Sequence, residues 1–130
     1  MKKVLFVCTH NSCRSQMAAA FFNSFAPSGW NAESAGSDPG KKVDADAVKA
    51  MAETGIDISR AKPRLLSFEM LQAADKIVTM GCASACPATD KPVEDWALED
   101  PAGKGLEKTR RIRDEIRKKT GLLAVSLKQV

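Results

Sequence analysis

The chain has 130 residues, 44% hydrophobic and 28% charged, with a formal net charge of +4, the make-up of a single globular domain spanning 1–130. No apolar run approaches the ~20 residues of a membrane span. The run Val4 to Cys8 is shorter than the ~7–15 apolar residues of a signal peptide, so a cytoplasmic location and reduced thiols are expected.

Lys3 to Val7 is almost uninterruptedly apolar and reads as a strand buried on both faces of a parallel sheet. A polar loop, 8–14, follows, and Ser15 reads as the cap of a helix that carries Met17, Phe21 and Phe25 on one face and ends at Pro27-Ser28-Gly29. Trp30 to Ala35 is a second predicted strand, with Gly36 to Gly40 a loop. Val48, Met51 and Ala52 predict a helix from Asp44 to Gly55; Leu65, Phe68, Leu71 and Ala74 predict another after Pro63. Lys76 to Met80 is the next strand, Gly81 to Pro92 a loop, and Val93 to Leu98 a last strand. A helix from Lys104 carries Leu106, Ile112 and Ile116 at helical spacing, and the tail after Gly121 is expected to be weakly ordered or a short extra element. Eight basic residues against three acids lie between Lys104 and Lys119, but with no binding motif or stacking aromatics they read as a solvated helix face, and no nucleic-acid or membrane partner is expected.

Strands alternating with helices imply an α/β domain of three layers around a mostly parallel sheet. Ligands bind such sheets beyond the carboxyl ends of the strands. Segments 8–15, 81–87 and 99–103 each follow a predicted strand, so the fold brings them to one edge.

The first of these segments, Cys8-Thr9-His10-Asn11-Ser12-Cys13-Arg14-Ser15, carries chemistry. A thiol attacks as thiolate, and inward-pointing backbone N–H groups, a helix N-terminus and Arg14 all favour an anion at Cys8. The same groups make a cradle for a tetrahedral oxyanion, with the Arg14 guanidinium offering a planar two-donor grip. Ser15 can donate to the sulfur, and Asn11 suits a left-handed backbone that curls the loop. Taken singly, Cys8 reads as a small buried hydrophobe and Arg14 as a surface charge; their spacing between strand and helix argues for function. The loop lacks the Gly-rich run and Gly-Lys-Ser/Thr of a nucleotide P-loop.

This loop together with Asp100-Pro101 resembles the low-molecular-weight protein tyrosine phosphatase superfamily, and Asn11 to Ala18 resembles its thioredoxin-coupled arsenate reductase branch. Ser34-Ala35-Gly36, Ile56 to Ser59, Glu94-Asp95-Trp96, Asp100 to Lys104 and Arg111 to Ile116 extend the likeness over nearly the whole chain. The resemblance implies a four-stranded parallel sheet, Asp100 as an acid that protonates a leaving oxygen, no cofactor, a monomer, arsenate as substrate with phosphate or sulfate competing, and thioredoxin as reductant.

Both branches would use Cys8, Arg14 and Asp100, so Cys82 and Cys86 discriminate. Hydrolysis of a cysteinyl phosphate needs only water, whereas reducing As(V) to As(III) needs two electrons, which a second thiolate attacking Cys8 supplies and a third carries outward. The four-residue spacing of Cys82 and Cys86 suits one helical turn, where a disulfide forms with little rearrangement. The alternatives are phosphomonoester hydrolysis and a non-enzymatic thiol metal sensor, in which Cys8, Cys13, Cys82 and Cys86 would hold zinc, although close Cys-x-x-Cys pairs are missing. A phosphatase carries tyrosine beside its Asp-Pro acid; this chain has no tyrosine and Ala102 after Asp100-Pro101. His10 reads as a loop residue rather than a base, Cys13 as a packed spectator. The likeness breaks at a potassium site of some relatives, where Asn11 and Ser34 match but Ala19 and Arg64 replace acidic donors, and at the Cys82 to Cys86 spacing, which is shorter than in the best-known branch members.

Overall fold

The computed structural model describes residues 1–25, 27–81, 89 and 91–127. Four parallel strands, β1 (Lys2–Cys8), β2 (Trp30–Gly36), β3 (Lys76–Thr79) and β4 (Val93–Asp95), form one sheet in the order β2-β1-β3-β4. Side chains alternate across β1 as strand geometry requires. Val4, Phe6 and Cys8 face one core, with α1 (Arg14–Phe25), α2 (Ala45–Ala52) and α4 (Leu106–Leu127); Leu5 and Val7 face a smaller one, with Ile77 and the side chains of Leu66, Met70 and Leu71 around α3 (Phe68–Ala73). The expected three-layer α/β/α domain with a four-stranded parallel sheet is what the chain forms. Because β1 has β2 on one side and β3 on the other, its carboxyl end opens at the switch point where such sheets bind ligands.

Four local readings are corrected. Ser15 does not cap α1: the first helical bond runs from the Met17 N–H to the Cys13 carbonyl at 3.0 Å, so the helix starts two residues earlier and Ser15 lies buried inside its first turn. Leu65 and Phe68 are not core residues, being 63% and 65% exposed. Gly36 N–H donates to Arg64 O and Leu66 N–H to Gly36 O, at 2.9 and 2.8 Å, so this stretch runs extended beside the end of β2 and turns Leu66 inward. The last strand stops at Asp95, because Trp96 turns into the core against Phe6 with ring centroids 5.6 Å apart. Residues 122–127 do not fray: α4 continues to Leu127, since Leu123 and Ala124 are buried with Ile112 and Ile116 in one continuous inner face.

Candidate active site

Residues 8–14 curl over the end of β1 between the strand and α1. Asn11 takes the left-handed conformation expected of it, φ 50°. Outer contacts hold the curl: Asp38 N–H donates to Thr9 O, Gly40 N–H to His10 O and Asp44 N–H to Ser12 O, at 2.8 to 2.9 Å. Gly36 is required here, since a Cβ would lie 2.5 Å from Thr9 O.

Two donors converge on Cys8, which is only 3% exposed. Asn11 N–H lies 3.1 Å from its sulfur and the Ser15 hydroxyl 2.8 Å. The orientation of the Asn11 amide follows from a backbone group. Arg64 N–H can only donate, and it donates to Asn11 Oδ1 at 2.8 Å. Asn11 Nδ2 therefore faces Ser15 Oγ, 2.7 Å away, and toward a Cys8 thiolate, which can only accept, the hydroxyl is the donor. Gln16, which the sequence reading passed over, completes the frame by donating from Nε2 to Asn11 O, Asn11 Oδ1 and Lys62 O. Donors aimed at sulfur suit an anion at that position.

Arg14, buried to 7% exposure, donates from Nη1 to the carbonyls of Met80 and Leu98, which follow β3 and β4. These two acceptors had no sequence signal, because any residue supplies a carbonyl. With Nη1 so held, the opposite edge of the guanidinium remains: Nε has no hydrogen-bond partner among the described residues, and Nη2 lies 3.8 Å from Asp100 Oδ2. A planar pair of donors at Nε and Nη2 matches the fork that grips an oxyanion. Asp100 is half-exposed and accepts from Ala102 N–H at 3.0 Å through its other oxygen.

Cys8, His10, Ser12, Cys13, Arg14 and Asp100 line one small open pocket, so the structure brings together the first-loop candidates and the distant Asp100. His10 Nδ1 lies 3.0 Å from Asp38 O; a carbonyl only accepts, so that nitrogen carries the proton. Cys13 is buried, and desolvation, then the carboxylates of Asp44 and Asp100, push its thiol well above the usual range, which keeps it protonated and poorly nucleophilic. Cys82 and Cys86 lie outside the described residues, and with them the expected thiol relay and the four-thiolate zinc centre. Among the described residues no three His, Cys, Asp or Glu side chains could hold a metal, and no helix is long and apolar enough to cross a membrane.

The profile of low molecular weight phosphotyrosine protein phosphatases matches residues 3–130. Arsenate reductase 1 of Staphylococcus epidermidis is 44% identical over 121 residues, covering 89% of this chain and 90% of its own. The crystal structure of an arsenate reductase from Archaeoglobus fulgidus superposes with TM-score 0.80 at 42% identity, over 93% of this chain and 98% of that one. A thioredoxin-dependent arsenate reductase of Corynebacterium glutamicum superposes with TM-score 0.85 at 35% identity, over 99% of this chain and 63% of the other.

Proposed function

The chain belongs to the low molecular weight phosphotyrosine protein phosphatase family, and on that premise we propose that it is an enzyme reducing arsenate to arsenite, with Cys8 as nucleophile and thioredoxin as electron donor. Arsenate sits in the loop of residues 8–15, its oxygens on backbone N–H groups and on the Nε/Nη2 edge of Arg14. The Cys8 thiolate attacks arsenic, an As–S bond forms, and Asp100 gives the proton with which one oxygen leaves as water. Cys82 thiolate then attacks the Cys8 sulfur. An S–S bond forms, the S–As bond breaks, and its electron pair stays on arsenic, which leaves as arsenite. Cys86 attacks Cys82, Cys8 departs as thiolate, and the Cys82–Cys86 disulfide is reduced by a thioredoxin dithiol. The setting is the reducing cytoplasm, where such a donor is available.

The observation that carries this reading is the junction of β1 and β3. Met80 N–H donates to Val7 O at 3.0 Å, so β3 runs beside β1 to its last residue, and Cys82 follows Met80 by two positions, at most about 7 Å of chain. Among the described residues the pocket lining offers no phenyl or indole wall for an aryl ester, which disfavours phosphotyrosine as the main substrate; weak phosphomonoester hydrolysis remains as a side activity. The test is arsenate-dependent NADPH consumption with thioredoxin and thioredoxin reductase. Turnover supports the reading. Its absence alongside brisk phosphomonoester hydrolysis would make the chain a phosphatase, and its absence alongside tight stoichiometric zinc a metal sensor.

A further inference from the structure

The peptide unit between Met80 and Gly81 is held from both sides. Its carbonyl accepts from Arg14 Nη1, and its N–H donates to Asp95 Oδ1 at 2.8 Å. The same Asp95 oxygen accepts the Thr79 hydroxyl at 2.6 Å. Asp95 is the last residue of β4 and Thr79 the last of β3, paired in register, so the carboxylate is fixed at the seam of the two strands. Gly81 then turns with φ 78°, where L residues are strained, and a Cβ there would lie 3.1 Å from Leu98 N and O. The next residue in the chain is Cys82.

We propose that Asp95 is a positioning residue for the redox step: by holding the Met80–Gly81 peptide it sets where the chain leaves β3 and so delivers Cys82 to Cys8. The role rests on the thiol relay proposed above. It is unequal on the two sides of the peptide. Arg14 keeps Leu98 O as a second acceptor and Asp100 nearby if Met80 shifts, whereas among the described residues the Gly81 N–H has Asp95 alone. Loss of the carboxylate therefore disturbs thiol delivery more than oxyanion binding.

The test uses the Cys86→Ser protein, which stops after one disulfide. One equivalent of arsenate is added, the reaction is quenched by acid at intervals, and Cys8–Cys82 disulfide is counted by peptide mapping; affinity for inorganic phosphate is measured separately by calorimetry. Asp95→Ala is expected to slow disulfide formation at least about tenfold, as misplacing a reacting group does, while the phosphate Kd changes less than about threefold. Asp95→Asn, which keeps an acceptor oxygen, should restore the rate to within about threefold. If Asp95→Ala does not fold, Thr79→Val, which frees one of the two bonds on the carboxylate, should slow the same step with phosphate affinity kept. Disulfide formation at the parental rate in Asp95→Ala, or in Thr79→Val where that variant has to replace it, would overturn the role. So would a parallel fall in phosphate affinity by the same factor, which would make Asp95 a support of the whole site. Failure of the parent itself, with Asp95 intact, to form an arsenate-dependent disulfide would sink the relay and this role with it, and is distinguishable because it shows before any change at Asp95.

Discussion

The Ser15 hydroxyl lies 2.8 Å from the Cys8 sulfur and accepts from Asn11 Nδ2, so toward a Cys8 thiolate, which can only accept, it serves as donor. Ser15→Ala removes one of the two donors that the described residues aim at this buried sulfur. A hydrogen bond to a charged group contributes about 1.5 kcal/mol or more, so kcat/KM for arsenate should fall about tenfold or further. The phosphate Kd should move little, since Arg14 and the loop N–H groups remain. Unchanged kcat/KM would mean that Ser15 only braces the loop.

Potassium should leave the rate unchanged. Asn11 Oδ1 already accepts from Arg64 N–H and Gln16 Nε2, Ala19 has no oxygen to offer, and the Arg64 guanidinium lies 3.9 Å from Glu33. A hard cation there would meet the Arg64 guanidinium, with Asn11 Oδ1 already engaged. Steady-state rates in potassium and in a bulky organic cation at matched ionic strength should agree; saturable activation by potassium would refute this.

The helix pair α2–α4 should loosen in acid. Glu53, one residue past α2, accepts from Arg110 and Arg113 on α4, and those bonds hold its carboxyl down at about 2. A lowered folded value means that the clamp's contribution is complete above the ordinary carboxylate range of about 4.3 and disappears as pH falls through about 2. Urea unfolding should therefore show Glu53→Gln less stable than the parent at pH 7, with the gap closing toward pH 2 and narrowing in high salt, because the pair is exposed. A gap independent of pH would show that the side chain acts by packing alone.

What was legible in the sequence was whatever a residue type declares by itself. The apolar run at β1 announced a buried strand, and a cysteine and an arginine flanking a polar loop announced an anion cradle. What was not legible depended on partners distant in the chain. Leu65 and Phe68 carry the right side chains for a core face, yet both are exposed: pairing of 64–66 with Gly36 turns Leu66 inward and Leu65 outward, and Phe68 opens α3 in solvent. Gly121 reads as a helix end, but burial of Leu123 and Ala124 carries α4 past it. Ser15 reads as a cap because caps and active-site hydroxyls use the same residue, and only the position of Cys8 separates them. Gln16 and Asp95 lie in segments that carry the resemblance, but their roles were not legible, since their partners, Lys62 O for Gln16 and Gly81 N–H for Asp95, are backbone groups distant in the chain.

The order in which the thiols oxidise is the claim on which the account stands, and peptide mapping of alkylated protein after one equivalent of arsenate tests it most directly. Wild type should accumulate a Cys82–Cys86 disulfide and Cys86→Ser a Cys8–Cys82 disulfide. Cys82→Ser should form no arsenate-dependent disulfide while still hydrolysing phosphomonoesters weakly, and Cys8→Ser should do neither. Cys13 should remain alkylatable after unfolding in every protein, as its buried, protonated thiol requires. A disulfide containing Cys13, or none that depends on arsenate in any variant, would contradict the account.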